Sequence, residues 1–133
     1  MKAYLKSITV QEEDLDELQH VNNVRYVQWI QDISKEHWQS AVSAQMAREV
    51  IWVVQNHNIT YKGAAVLGDV LELKTYIKDT KGATSIRVVE IRNANTAELL
   101  LESITSWCLL HPKTFRPMRI SEEISAIFDD KQS

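Results

Sequence analysis

The sequence has few of the residues that usually signal chemistry. One cysteine, Cys108, occurs in 133 residues, so no internal disulfide can form, which fits a reducing compartment. The four histidines, His20, His37, His57 and His111, show no metal-ligand spacing, and Cys108 stands apart from them, so no metal site is expected. Three glycines and two prolines exclude a glycine-rich phosphate loop, and no linker, repeat or low-complexity segment is seen. No serine sits in a strand–turn–helix nucleophile signature. A net charge of −3 without a basic tail gives no footprint for nucleic-acid binding. No apolar run approaches membrane-spanning length, and the stretch from Met1 to Lys6 lacks the apolar core of a signal peptide. The expectation is a cytoplasmic protein without membrane insertion. The length suits one domain, 1–133, that buries a core without staples.

What is present is a change of period. Tyr4, Leu5, Ile8 and Val10, set among polar residues, predict a first strand within residues 4–12. A turn over 14–21 leads to Asn22 and Asn23, either of which can cap a helix with its side-chain oxygen. Val24, Val27, Ile30 and Ile33 or Ser34 then follow the helical spacing from about Asn23 to the mid-thirties, and Trp38, Ala41 and Val42 extend it. Trp29 falls off that stripe and is expected to face a partner or ligand. A second helical piece is predicted within 40–48.

From Val50 the period becomes two. Strands are predicted over Ile51–Tyr61, Asp69–Lys78, Thr84–Arg92 and Glu98–His111, with turns at Gly63 to Asp69, Asp79 to Gly82 and Asn93 to Thr96. Pro112 ends the last strand, and Ser121 can cap a short terminal helix. The order is strand, long helix, four strands: an α+β fold with a curved antiparallel sheet around a central helix. Val70, Val89, Ile91 and Ile104 read as outer-face apolar residues, which implies at least a dimer.

An acidic cluster therefore stands where a strand hands over to the N-terminus of the long helix. The unpaired amides of a helix N-terminus attract negative charge, so an acid or base beside them can build a hydrolytic site. Asp16 is the chosen carboxylate. Turn aspartates, a turn histidine such as His20 and capping asparagines such as Asn22 also occur without any chemistry.

The stretch Asp14-Leu15-Asp16-x-x-Gln19-His20-Val21-Asn22-Asn23-Val24-x-Tyr26 resembles the signature of the hotdog-fold thioesterases, the 4-hydroxybenzoyl-CoA thioesterase relatives and the acyl-ACP thioesterases. The local match continues through Trp29 and Ile30 and is closer to the acyl-ACP enzymes of plants. Tyr61-x-x-Ala64-Ala65-x-Leu67-Gly68-Asp69 and His111-Pro112-Lys113-Thr114-Phe115-Arg116-Pro117 resemble two further, weaker motifs. The resemblance departs at Leu18, where the plant pattern has asparagine, and at Gln19, where the CoA enzymes have glycine. Ala64 and Ala65 stand near positions where the plant pattern has glutamate and cysteine.

The resemblance implies a single hotdog domain acting as a homodimer or homotetramer, with active sites between subunits. It implies a hydrolase of fatty acid metabolism that cleaves acyl-CoA or acyl-ACP to a free acid and a thiol, without a cofactor. By motif position Asp16 matches the catalytic carboxylate, as base or nucleophile. The Asn23 N–H matches the group that polarises the thioester carbonyl, and His20 matches a residue that orients the site. Asn22, Val24, Tyr26 and Val27 are expected to contact substrate, with the acyl chain along Val24 and Val27. Lys62, Lys113 and Arg116 are expected at the phosphates of the carrier. Two other readings stand beside this one. A non-catalytic acyl-binding module fits the same scaffold. A hotdog dehydratase would need a proline- and glycine-rich loop after its histidine, and none exists here.

Overall fold

The computed structural model describes residues 2–129. Strand β1 spans Tyr4–Thr9, and after a 3-10 turn over Glu12–Asp14 come helices α1, Asn23–Ala41, and α2, Ala44–Arg48. Strands β2, Ile51–Tyr61; β3, Val70–Lys81; β4, Thr84–Asn93; and β5, Leu99–Leu110, precede helix α3, Glu122–Ile127. The five strands form one antiparallel sheet in the order β1-β3-β4-β5-β2. This is the α+β arrangement expected from the sequence, and β2 has the predicted bounds. Among the described residues no helix is long and apolar enough to cross a membrane.

The strand registers decide which face meets the helix. Leu71, Leu73 and Thr75 of β3, Val89 and Ile91 of β4, and Leu101, Ser103 and Thr105 of β5 are all fully buried. Helix α1 presents Tyr26, Trp29, Ile30, Ile33, Ser34 and His37 to this face. Burial of these side chains removes apolar surface from water at about 25 cal/mol per Å2, the main favourable term in folding.

Three expectations are corrected here. Trp29 belongs to the core rather than to a partner or ligand, with its ring edge-to-face on Tyr26 at 5.7 Å. Val24 is not on the buried stripe but 75% exposed. Val89 and Ile91 lie on the inner face, fully buried, so they say nothing about an outer-face partner. The turn expected at Asp79 to Gly82 also moves. A register shift between Ile77 and Asp79 lets β3 run on to Lys81, and Gly82 and Ala83 form the turn before Thr84. Gly82 takes the left-handed φ of 61° that such a turn requires.

Beneath the C-terminal half of α1 the core is polar. Arg87 of β4 is buried and faces inward, where its Nη1 donates to Thr75 Oγ1 at 3.1 Å and to His37 Nδ1 at 2.8 Å. That contact requires a neutral imidazole with its proton on Nε2. Burial, and then the Arg87 charge, push the His37 pKa down to about 4. A second apolar cluster closes this end, with Leu109, Ile120, Ile124 and Phe128 packed against Trp38 and Trp52.

Two measurements check this packing. Ile33→Ala should destabilise by about 2–5 kcal/mol in urea unfolding, whereas Val24→Ala should stay within about 0.5 kcal/mol. For His37 the unfolded chain takes up a proton below about pH 6.5 that the folded chain refuses until about pH 4. Its contribution to stability is therefore complete above pH 6.5 and falls away as the pH drops toward 4. A His37→Gln variant should lose that component, so its stability should vary less with pH than the wild type's across this window.

Candidate active site

The loop from Asp14 to Asn22 is a small closed structure built by its own backbone. Leu15 and Val21 pair in an antiparallel bridge. The Asp16 N–H donates to the His20 carbonyl at 2.8 Å, and the Gln19 N–H donates to the Asp16 carbonyl at 3.0 Å. Asp16 Oδ1 accepts from the N–H groups of Leu18 at 2.9 Å and His20 at 3.2 Å. Gln19 closes the turn with φ of 64°, a left-handed conformation that favours glycine. The CoA members of the resembled family carry glycine at that motif position, and the turn geometry gives the reason.

The loop is tied to its surroundings at both ends. Asp14, the neighbouring carboxylate, is buried, accepts from the Gln11 N–H at 2.8 Å and pairs with Arg25 Nε at 2.9 Å. Its backbone carbonyl accepts from the Asn22 N–H at 2.9 Å. The Val21 N–H donates to the Ala65 carbonyl at 3.0 Å, which docks the loop on the segment after β2. Asn22 is the cap: its Oδ1 accepts from the Val24 N–H at 2.9 Å.

Asn23 is the first helical residue and is exposed, and as a first-turn group its N–H has no intrahelical acceptor. The half-buried Asp16 thus has one oxygen engaged by backbone amides. The other makes no hydrogen bond among the described residues and stands on the segment beside the positive end of a 19-residue helix. A carboxylate can serve as a base or nucleophile, and an N–H that lacks an acceptor can serve as an oxyanion donor.

A family model, the acyl-ACP thioesterase N-terminal domain, matches residues 1–128. The chain belongs to the acyl-ACP thioesterase family. As a hotdog thioesterase it has acyl thioester hydrolysis as its reaction. The long-chain acyl-CoA thioesterase FadM of Escherichia coli is 26% identical over 112 residues, which cover 83% of this chain and 85% of FadM. The acyl-[acyl-carrier-protein] hydrolase FATB3 of Cuphea viscosissima is 26% identical over 77 residues, 58% of this chain but 19% of that protein. The crystal structure of the probable thioesterase YbaW from Escherichia coli superposes with a TM-score of 0.84 at 25% identity, covering 92% of this chain and 94% of that one.

The thioesterase brings together some of its expected site residues. Asp16, His20, Asn22, Asn23 and Val24 gather at the helix N-terminus. Lys62 lies at the same end of the sheet, exposed, its N–H bonded to the Leu100 carbonyl at 2.8 Å. His20 is exposed and enters the loop's bonding through its backbone. Lys113 and Arg116 do not join this group within one chain. Their loop follows the far end of β5, where the His111 N–H donates to the Arg116 carbonyl at 2.9 Å. The 12-residue length of β5, roughly 35–40 Å, separates the two ends.

Tyr26 is a core residue rather than a substrate contact. It is buried, tilted against Tyr61 at 6.0 Å, and burial lifts its pKa to about 12. Val27 is half-buried. The buried structural role of Asp14 was not anticipated. The signal for it was the spacing of three from Gln11, the reach of a capping contact.

Asn22→Ala should lower stability by about 1 kcal/mol, seen as a lower thermal midpoint, and Asn22→Asp should recover most of it because the cap oxygen returns.

Proposed function

We propose that Asp16 is the catalytic carboxylate for hydrolysis of an acyl-CoA or acyl-ACP thioester. The observation that supports this most is the division of labour within its side chain: Oδ1 is held by the Leu18 and His20 amides, while Oδ2 makes no hydrogen bond among the described residues. A carboxylate fixed in this way is oriented without being neutralised.

As a base, Asp16 takes a proton from water as the water oxygen bonds to the thioester carbonyl carbon. The carbonyl oxygen becomes an oxyanion, and the Asn23 N–H with the positive end of α1 stabilises it. Collapse of the intermediate breaks the carbon–sulfur bond. The thiolate takes the proton, and Asp16 returns to its charged form. The products are a carboxylic acid and a free thiol, and no cofactor takes part. As a nucleophile, Asp16 would form an acyl anhydride that water then cleaves to the same products.

In this reading Asn22, Val24 and Val27 line the substrate's approach, His20 orients it, and Lys62 meets the phosphates of the carrier. Lys113 and Arg116 reach those phosphates only from a second copy of the chain. A homodimer or homotetramer is supported by β2, an 11-residue edge strand with exposed Val53 and Tyr61. A single domain over 1–133 in the cytoplasm completes the proposal.

The test is thiol release from a panel of acyl-CoA and acyl-ACP substrates. Asp16→Asn keeps an oxygen for the two loop amides but removes the charge. It should lower kcat by roughly 100- to 10,000-fold with an unchanged circular dichroism spectrum. Wild-type rates in this variant would exclude Asp16 as the catalyst.

A further inference from the structure

An aromatic cleft lies far from Asp16, beneath the C-terminal half of α1. It is half open, and the space within it and at its mouth amounts to about 390 Å3, open solvent included. Trp38, Trp52, Trp107 and Phe128 supply its walls, and Arg87 and Lys35 also line it. Ser34, on the same lining, stands 11 residues from Asn23, roughly 16 Å along the helix.

Three donors among the residues that line this cleft lack part of their usual partners. Arg87 is 5% exposed, and among the described residues no carboxylate is within ion-pair distance of it. Both of its hydrogen bonds run through Nη1 and end on neutral groups, His37 and Thr75. Its guanidinium otherwise sits 5.9 Å from the Phe128 ring centre. The Nε1 atoms of Trp52 and Trp107 are buried and have no hydrogen-bond partner. The second cation, Lys35, is exposed, and the lining holds no acidic residue. A buried guanidinium is ordinarily paired, because desolvation of an unpaired charge is costly. An anion that enters here gains a charge-assisted contact with Arg87.

We infer that the cleft walled by Trp38, Trp52, Trp107 and Phe128 is a binding site for a small aromatic carboxylate, its carboxylate on Arg87 and its ring among the indoles. Four aromatic walls favour a flat ring by stacking and edge-to-face contact. The site does not depend on the roles given to Asp16 and Asn23.

The chain carries its own reporters. Trp38, Trp52 and Trp107 line the cleft, whereas Trp29 is packed in the other core cluster. Titration of the 15N-labelled full chain with benzoate should shift the indole N–H signals of Trp52 and Trp107 and leave that of Trp29 in place. Benzamide, the neutral shape match, should bind at least about tenfold more weakly. Arg87→Met should weaken benzoate to the level of benzamide, with an unmoved Trp29 signal reporting an intact fold. Should that variant fail to fold, the benzoate-to-benzamide ratio in the wild type still decides. Equal affinity for the two probes, shifts that include Trp29, or no shift at millimolar benzoate would each overturn the inference.

Discussion

Helix α1 has to lie on the inner face of the sheet, and most other features answer to that contact. Ile30 and Ile33 are fully buried against Leu71, Leu73, Val89, Ile91 and Leu101, so neither layer has a solvated alternative. Once this stripe is seated, the N-terminus of the helix has one position relative to the strand ends. The Asn22 cap, the Asp14 carbonyl and the Ala65 carbonyl then fix the preceding loop. Asp16 is placed by packing from below and by its own backbone bonds from within. The geometry at the helix end is thus inherited from a hydrophobic contact some distance away.

The other half of the same contact is built differently. Thr75, Arg87, Thr105 and His57 bring polar atoms to the inner face on neighbouring strands, and His57 Nδ1 meets Thr105 Oγ1 at 2.7 Å. Apolar residues of like volume would give a more stable core here. The helix therefore spans two environments, an apolar one near its start and a charged, aromatic one near its end.

Much of the fold was legible because period-two and helical patterns do not mimic each other over long runs. Strand β2 and the order of elements followed from that alone, Ser121 was legible as a cap by residue type, and Asn22 was one of two asparagines able to cap α1. The stripe of α1 was harder. The row Val24, Val27, Ile30 and Ile33 or Ser34 is an acceptable helical stripe, but the buried face keeps Ile30, Ile33 and Ser34 of it and adds Tyr26, Trp29 and His37, and only the sheet makes that choice. On β4, Val88 and Val89 are both buried, so alternation could not tell inner from outer. Arg87 reads as a solvated strand residue, although it shares its face with Ser85, Val89 and Ile91. That parity was the available signal. At the site, the motif pointed to Asp16 and the helix end, while the hydrogen bonding that splits the Asp16 carboxylate needed coordinates. The separation of Lys113 and Arg116 from Asp16 follows from strand direction, which the order of elements does not reveal.

The two borders of the sheet are unlike. On one side β1 is six residues long and is tethered to the helix where Lys6 Nζ meets Glu36 at 2.9 Å. On the other, β2 offers nearly twice that length of unpaired backbone. Strand addition along β2, between two copies related by a twofold axis, would use up both long borders at once and leave only the short, tethered ones outside. Growth by such a route would stop at two. A sheet with two equal borders would have no such limit, so the asymmetry itself acts against fibre formation.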